Sequence, residues 1–410
     1  MVRGVLISLC LYSGVSLAGA QFEGMPSKPV LAYVVAKPDG SIVSQSNRDL
    51  NLAPASTQKL ITATAAQLYL GRDYRFNTQI ETLQKGTLKQ GVLDQTVRFR
   101  LSGAPDFTRQ QLRGMLKTLK QSGVNKISGD ILINDGRFNG YHWSNGQSWN
   151  DLGVCYTSPA SAVIINRNCV QGNLSVTKSG ETRVFIPAHE PVRIDNSSYA
   201  LRTYAEKNQQ HCELELNRGE ANHYELMGCF VATKDPIPMR FSVNDPVTYF
   251  ASILAADLAN SGITHTGVIR RESTLEPEGE VLVRQSSAPL GELLTKMLKK
   301  SDNLIADVVF KTLGAEYFNQ AGNFRSGQAA VKAILSKQAQ LDLSDAIMAD
   351  GSGLSRHSQV TVDQLLKVMQ FVYNNDSKLG LLNSLAISGV DGTLQWRSSL
   401  RVDSLKGKVR

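Results

Sequence analysis

The secondary-structure signals of this chain change twice along its length. Residues 51–71 predict a loop followed by a helix, because apolar residues recur there at helical spacing. From about 75 to 240, short apolar runs alternate with Gly, Asn, Asp and Ser turns, which is typical of strands. Later residues are helical again. The sequence therefore predicts an α+β (α/β) fold in which one domain, residues 21–75 plus 241–410, is split by a β-rich insert at 76–240.

The helical region after the predicted insert contains several capping signals. Asp245 followed by Pro246 is a good N-cap and first-turn pair, and it predicts a helix that ends near Asn260. One further helix is expected to end at Leu313, because Gly314 follows it. That helix begins at residue 304, and the remaining predicted helices cover residues 289–300, 326–337 and 362–373.

The N-terminus has the order of features that defines a signal peptide. Arg3 is followed by an apolar run at 5–17 and by Ala-Gly-Ala at 18–20. We therefore expect residues 1–20 to be a signal peptide, with cleavage after Ala20 and export to the periplasm. No later stretch reaches about 18 uninterrupted apolar residues, so no integral membrane span is expected in the mature chain.

The cysteines agree with export to an oxidising compartment. Cys10 would leave with the signal peptide, and four cysteines remain, for which three pairings are possible. The pairing of neighbours, Cys155 with Cys169 and Cys212 with Cys229, closes short local loops and is the predicted one. Free thiols are the alternative. No C-x-x-C motif occurs, which argues against a zinc site.

The charge distribution excludes one large class of partners. The formal net charge is +8, but the basic residues are spread out and form no block with interleaved aromatic residues. Nucleic-acid binding is therefore not expected. A mild positive balance is compatible with association with an anionic cell-wall polymer or membrane surface. Gly-rich phosphate loops and H-E-x-x-H are absent, and no metal or organic cofactor is predicted.

Ser56 and Lys59 form an S-x-x-K motif at the predicted helix start. Residues three positions apart lie on one face of a helix, so the two side chains should meet. Lysine can accept a serine proton only if its pKa is lowered by desolvation or by a neighbouring cation. The alternative is a capping serine beside a solvated lysine. A second match, Ser175 with Lys178, lies where no helix is predicted and is interpreted as part of a turn.

Ser301-Asp302-Asn303 is the second candidate motif. It lies between two predicted helices, where a serine hydroxyl could relay protons and an asparagine amide could hold a substrate carbonyl. The S-x-N pattern is common, and an ordinary N-cap for the following helix is the alternative interpretation.

Longer segments around these motifs resemble one enzyme family. The stretches at 299–307 (KKSDNLIAD), 349–356 (ADGSGLSR) and 389–394 (GVDGTL) are similar to those of the penicillin-binding D-alanyl-D-alanine carboxypeptidases of low molecular mass, class C. That family carries a large insert between its first two motifs, and residues 60–300 match this layout. The resemblance extends from about residue 26 to 410.

The resemblance implies a fold, a reaction and a set of roles. The fold would be a penicillin-binding transpeptidase/β-lactamase-like domain with an insert. Ser56 would be the acylated nucleophile, Lys59 the base and Ser301 a proton relay, while Asn303 would position the substrate. The substrates would be peptidoglycan stem peptides, cut by carboxypeptidase or endopeptidase action, and β-lactam antibiotics would acylate Ser56.

One family motif, Lys-Thr-Gly, is missing. The only similar tripeptide, Lys178-Ser179-Gly180, lies in the predicted insert and is interpreted as a turn. In the family, a segment such as 405–410 leads directly into Ala-Lys-Thr-Gly, so we expect the motif to follow residue 410. Two alternatives remain open: a serine β-lactamase, and a cell-wall-binding protein without catalytic activity.

Overall fold

The computed structural model describes residues 30–83 and 88–410. The predicted signal peptide lies outside the described residues. Within that part of the chain, no helix is both long and apolar enough to cross a membrane.

The structure has an α+β fold, as the sequence predicts. Its longer helices cluster near the two ends of the described chain, and its strands lie mainly between them. The helices are α1 (Gln58–Tyr69), α2 (Arg109–Gln121), α3 (Tyr204–Gln210), α4 (Pro246–Asn260), α5 (Leu290–Lys300), α6 (Asn303–Phe318), α7 (Phe324–Ala339), α8 (Val362–Asn374) and α9 (Asp376–Leu379).

The strands are short and form several small sheets. They are β1 (Tyr33–Ala36), β2 (Ile42–Ser46), β3 (Asn77–Thr82), β4 (Val92–Leu93), β5 (Val97–Arg100), β6 (Lys126–Ile127), β7 (Ile131–Asn134), β8 (Cys169–Val176), β9 (Thr182–Phe185), β10 (Arg193–Asn196), β11 (Tyr199–Leu201), β12 (Leu214–Arg218), β13 (His223–Val231), β14 (Ile237–Ser242), β15 (Thr264–His265), β16 (Ile269–Glu272) and β17 (Glu280–Ser286).

The sequence predicts that helix α6 ends at Leu313. In the structure this helix continues to Phe318. Gly314 is a helix-interior residue at the crossing with α7. A Cβ at this position would lie 2.3 Å from Ser326 Oγ and 2.6 Å from the Gly327 nitrogen. The glycine therefore permits close packing of two helices rather than ending one of them.

Helix α2 lies inside the region that the sequence predicts to be strand-like. Its buried residues, Leu112, Met115, Leu116 and Leu119, follow helical spacing. Thr108 caps its first turn through a capping box with Gln111. Both signals are present in the sequence, but the turn-rich pattern on either side of them favours strands.

The largest sheet has five strands in the order β16-β7-β5-β3-β17. Strands β16, β7 and β5 run parallel to one another, whereas β3 is antiparallel to both β5 and β17. Helices α2 and α4 are joined by a bidentate ion pair between Arg109 and Asp257, with both contacts at 2.8 Å. The Asp257 side chain is fully buried, so this pair replaces its lost hydration.

Residues 169–242 form two smaller sheets. Strand β8 lies between β14 and β9, and β13 pairs with β10, β11 and β12. A small apolar cluster of Leu174, Leu226 and Phe230 lies between these sheets. In the same part of the chain Cys155 is bonded to Cys169, and Cys212 to Cys229, which is the sequence-local pairing.

The sheets do not divide at residue 240, where the sequence analysis ends the insert. Strands β16 and β17 pair with β7 and β3 of the insert, and β15 pairs with β6. Because sheet hydrogen bonds join residues 264–286 to residues 77–134, we propose that the insert extends to about residue 286.

Helix α1 is the central element of the helical region. Its described neighbours include α5, α6, α7 and α8. Most of its residues are buried, and Ala63, Ala65 and Ala66 are small enough for the surrounding helices to approach closely. Lys59 lies in the first turn of this buried helix, and Ser56 lies in the turn just before it.

Candidate active site

Ser56 lies in a short 3₁₀ turn, Ala55–Thr57, that leads directly into α1. Ala55 has a φ of 47°, a left-handed value that costs about 1–2 kcal/mol for a residue with a side chain. The turn packs tightly against Gly353, where a Cβ would lie 1.8 Å from the Ala55 carbonyl oxygen. The position of Ser56 therefore depends on the loop that contains Gly353.

Lys59 is almost completely buried, with 1% of its surface exposed. Its Nζ donates to Ser56 Oγ at 3.0 Å, to Asn303 Oδ1 at 2.8 Å and to the Ser352 carbonyl at 2.7 Å. These three contacts use all the donors of a lysine ammonium group. Lys59 thus joins three segments that are far apart in the sequence.

Burial lowers the pKa of Lys59 to about 8, because desolvation destabilises the ammonium form. The negative charges of Asp307, Asp350 and Asp302 act in the opposite direction. Burial also raises the pKa of Asp307. With a pKa near 8, roughly one lysine in ten is neutral at pH 7, and a neutral amine can accept a proton.

Ser301 and Asn303 lie at the junction of α5 and α6. Ser301 ends α5 in a left-handed conformation, with a φ of 56°. Its hydroxyl donates to Ser56 Oγ at 2.8 Å. Asn303 accepts from Lys59 through Oδ1 and donates through Nδ2 to the Tyr156 carbonyl at 2.9 Å. The structure therefore brings all four predicted residues together.

Asp302, between these two residues, has a structural role that the sequence only partly indicates. It caps α6 by accepting from the Ile305 nitrogen at 3.2 Å, in agreement with the N-cap interpretation. It also forms an ion pair with Arg167 at 2.6 Å. Arg167 lies in the predicted insert, and no local pattern marks it as a partner of Asp302.

The disulfide between Cys155 and Cys169 closes a loop that contacts the Ser-Asp-Asn motif at both ends. Tyr156, next to Cys155, accepts from Asn303, and Arg167, two residues before Cys169, pairs with Asp302. The disulfide therefore closes the loop that contains both residues in contact with this motif, Tyr156 and Arg167.

A second segment of the insert contacts the loop at 350–356. The Ser355 hydroxyl donates to the Asn145 carbonyl at 2.5 Å, and the Arg356 nitrogen donates to the Gly146 carbonyl at 2.9 Å. The insert thus borders the site on two sides. No local sequence pattern predicts that residues of the insert border the catalytic residues.

Asp350 organises the glycine-rich loop that follows it. Its carboxylate accepts from the backbone nitrogens of Gly353 and Ser355, both at 2.7 Å, and from the Ser144 hydroxyl at 3.2 Å. Burial raises the pKa of Asp350, and these hydrogen bonds oppose that effect by stabilising the carboxylate. This side chain therefore positions Gly353 against the turn of Ser56.

An open cleft of about 400 Å³ lies beside the Ser56 hydroxyl. Its lining includes the serines and amide described above and several polar residues of the neighbouring loops. These residues are Ser56, Ser148, Asp151, Tyr156, Ser301, Asn303, Ser355 and Arg356.

The competing motif matches lie elsewhere. Ser175 is in β8, where its hydroxyl contacts the Arg183 carbonyl at 3.4 Å, and Lys178 is in the turn that follows. Among the described residues, no group of His, Cys, Asp or Glu has the arrangement of a metal site. Neither Lys-Thr-Gly nor Lys-Ser-Gly occurs between residues 302 and 410.

A serine hydroxyl between a buried lysine of lowered pKa and a second serine is the arrangement of a serine acyl-transfer enzyme. The comparisons with known proteins define the class further. The chain belongs to the D-Ala-D-Ala carboxypeptidase 3 (S13) family, whose sequence profile matches residues 20–410.

Two curated relatives support this assignment. The chain is 35% identical, over 362 residues, to the D-alanyl-D-alanine carboxypeptidase DacB of Haemophilus influenzae, covering 88% of this chain and 74% of that protein. It is 27% identical, over 329 residues, to the D-alanyl-D-alanine carboxypeptidase of Actinomadura sp. (strain R39), covering 78% of this chain and 60% of that protein.

A solved structure confirms the fold. The crystal structure of penicillin binding protein 4 (dacB) from Haemophilus influenzae matches with a TM-score of 0.85 and 34% identity. The match covers 92% of this chain and 83% of that one. The predicted class, a penicillin-binding D-Ala-D-Ala carboxypeptidase fold, is therefore confirmed.

Proposed function

We propose that this protein is an exported serine D-Ala-D-Ala carboxypeptidase/endopeptidase of the cell wall, with Ser56 as its nucleophile. The observation that carries the proposal is the position of Lys59 Nζ, 3.0 Å from Ser56 Oγ and 2.8 Å from Asn303 Oδ1. The substrates are the stem peptides of peptidoglycan, in agreement with the family. The periplasm is the proposed location, because the N-terminal pattern is that of a signal peptide.

Acylation begins with a proton transfer. Neutral Lys59 accepts the Ser56 proton while Ser56 Oγ attacks the carbonyl carbon between two D-alanines. The peptide C–N bond then breaks, and an ester forms on Ser56. The proton returns through Ser301, whose hydroxyl lies 2.8 Å from Ser56 Oγ, to the leaving amine.

Deacylation uses the same groups in reverse. Water attacks the ester carbonyl, Lys59 accepts a proton from the water, and Ser56 leaves with a proton restored to its oxygen. Asn303 is held by Lys59 and by the Tyr156 carbonyl, so its amide is oriented beside the cleft. The same chemistry cuts a terminal D-Ala and a D-Ala cross-link, because both are amides of a D-alanine carbonyl.

β-Lactam antibiotics should acylate the same serine. The β-lactam ring contains an amide that Ser56 can open in the same way as the peptide. One solved relative, at 33% identity, is a complex of penicillin binding protein 4 with a β-lactam. The resulting ester should persist if deacylation is slow, and rapid turnover would instead indicate a β-lactamase.

Mass spectrometry of penicillin-treated protein, purified from the cells that produce it, tests the proposal. We expect one covalent adduct, on the peptide that contains Ser56. Ser56→Ala should abolish the adduct, whereas the matched change Ser175→Ala should leave it, because Ser175 lies in β8 without a buried lysine. An adduct elsewhere, or labelling of Ser56→Ala, would contradict the assignment.

A further inference from the structure

A groove of about 1060 Å³ lies beside the catalytic cleft, and nothing in the proposed reaction uses it. One wall comes from β12 and another from β8 and β14. Tyr156 lines both the groove and the catalytic cleft, so the two spaces share a wall. A polymer that enters the cleft can therefore extend into the groove.

Trp149 provides an aromatic surface at the groove. Its side chain is 75% exposed although it is a large apolar residue. The Arg218 guanidinium lies over its ring at 5.6 Å and over the Trp143 ring at 4.8 Å. Arg218 also donates to Asn244 at 3.0 Å. An anchored arginine thus supports the indole, whose remaining surface is open.

Some polar side chains of the groove are available to a ligand, whereas others, such as Arg167 and Glu213, are held in ion pairs. Within the described residues, the side chains of Gln171, Glu215 and Arg240, which line the groove, form no hydrogen bond or ion pair. The two charged groups in this set have opposite signs. The groove therefore offers amide, carboxylate and guanidinium groups without a large net charge, which suits an uncharged ligand rich in hydroxyl and amide groups.

We propose that this groove binds the glycan chain of peptidoglycan, a run of N-acetylated hexose units, while an attached stem peptide occupies the catalytic cleft. The inference rests on the proposed function, because that function supplies a polymer with both components. The apolar faces of the sugar rings pack on Trp149, and Gln171, Glu215 and Arg240 contact hydroxyl and acetamido groups. Binding of the glycan would hold the enzyme on its polymeric substrate.

A second peptide is the competing occupant, since β12 has an unpaired edge among the described strands, whereas the outer edge of β14 is bridged at Phe241 by Val154 and is unpaired only towards Ile237. An extended peptide can add to such an edge through main-chain hydrogen bonds. Pro238 in β14 lacks one of the required donors. The exposed indole and the free polar side chains are better explained by a sugar chain.

Calorimetric titration of the protein with tetra-N-acetyl-chitotetraose, a peptide-free oligosaccharide, tests the inference. We expect saturable binding that is at least about tenfold weaker in Trp149→Ala, as for an aromatic residue at the centre of a binding site. Trp396→Ala is the matched control, because Trp396 is 74% exposed and also has an arginine, Arg401, over its ring at 5.8 Å. This control should bind like the parent.

Two further measurements keep the test decisive. Gln171→Ala should weaken binding about threefold to tenfold without removing a packed side chain. Penicillin acylation of each sample shows whether its catalytic site is folded. A parent protein that acylates normally but does not bind the oligosaccharide would overturn the groove proposal alone, as would equal losses in Trp149→Ala and Trp396→Ala. Absence of acylation in the parent would overturn the proposed function instead.

Discussion

At the scale of single residues, burial and hydrogen bonding act together on Lys59. Its three acceptors fix the amine beside Ser56, and desolvation lowers its pKa to about 8. A solvated lysine at the same helix position would be protonated at neutral pH and could not act as a base. The motif places the side chains of Ser56 and Lys59 on one helix face. The surrounding structure determines how much of the Lys59 amine is neutral rather than protonated.

The first prediction is a pH dependence of acylation. Because only neutral Lys59 can accept the Ser56 proton, the acylation rate by penicillin should rise about tenfold per pH unit below pH 8 and level off above it. Stopped-flow labelling with a fluorescent penicillin measures this profile. Lys311→Met is the control: burial also lowers the pKa of Lys311 to about 8, but Lys311 does not contact Ser56. Because Asp307 acts on both lysines, Lys311→Met can shift the midpoint but should keep the tenfold rise per pH unit; loss of that pH dependence in Lys311→Met would contradict the role of Lys59.

The second prediction concerns Gly353. Gly353→Ala combines a left-handed φ of 74° with a Cβ that would lie 1.8 Å from the Ala55 carbonyl oxygen. Gly180→Ala introduces only the backbone strain of a left-handed φ. The φ of Gly180 is 89°, and no atom would lie within 4 Å of the added Cβ. We expect Gly180→Ala to cost about 1–2 kcal/mol of unfolding free energy and Gly353→Ala about 1–3 kcal/mol more.

Denaturant unfolding and penicillin labelling of both variants provide the measurement. Only Gly353→Ala should also slow acylation, because it displaces the turn that carries Ser56. Equal stability and equal acylation in the two variants would show that the contact with Ala55 is unimportant.

At the scale of elements, the site is assembled from the ends of helices. Ser56 precedes α1, Ser301 ends α5 and Asn303 begins α6, while the disulfide-closed loop of the insert contacts the α5–α6 junction. Both Ala55 and Ser301 are left-handed residues with side chains. Such conformations persist only where surrounding contacts hold them, and here the contacts come from other segments.

The third prediction separates the two disulfides. Their loops are of similar length, with separations of 14 and 17 residues, so removing either one should cost about 3 kcal/mol of unfolding free energy. Replacing Cys155 and Cys169 with serine should also slow acylation, because that loop carries Tyr156 and Arg167. Replacing Cys212 and Cys229 should leave acylation unchanged.

Thermal unfolding and penicillin labelling of the two double variants decide the matter. If both variants lose stability but acylate at the parent rate, the Cys155–Cys169 loop does not position the Ser-Asp-Asn motif.

At the scale of the whole molecule, the five-stranded sheet connects distant parts of the chain. Strands β16 and β17 come after the predicted end of the insert but pair with β7 and β3. With the proposed boundary, the chain would enter the insert near residue 77 and leave it near 286. This organisation explains how loops of the insert can border a cleft formed by helices.

The fourth prediction tests this boundary. In native-state hydrogen exchange, the amides of β16 and β17 should exchange with the same opening free energy as those of β3, β5 and β7, because they form one sheet. The amides of α6 and α7 should define a separate unit. If β17 instead opens together with α6 while β3 remains protected, the proposed boundary near residue 286 would be wrong.

The local features of the fold could be predicted from the sequence, because they depend on neighbouring residues. Helical periodicity and capping predict α4, α5, α7 and α8 to within about two residues. The pairing of cysteines follows in the same way from short loop lengths. The predictions of helices and of cysteine pairing rest on contacts within a few turns of chain. The roles of Ser56, Lys59, Ser301 and Asn303 in acyl transfer follow only from the family resemblance of the segments around them.

Tertiary structure alone decided the features that depend on distant residues. Gly314 lies inside a helix rather than at its end because α7 crosses there. Strands β16 and β17 join the five-stranded sheet by pairing with β7 and β3. These partners lie over a hundred positions away in the sequence. Arg167 is 135 positions from Asp302, and Ser352 is 293 positions from Lys59. No periodicity or capping rule acts over such distances, so the burial that lowers the pKa of Lys59 exists only in the folded chain.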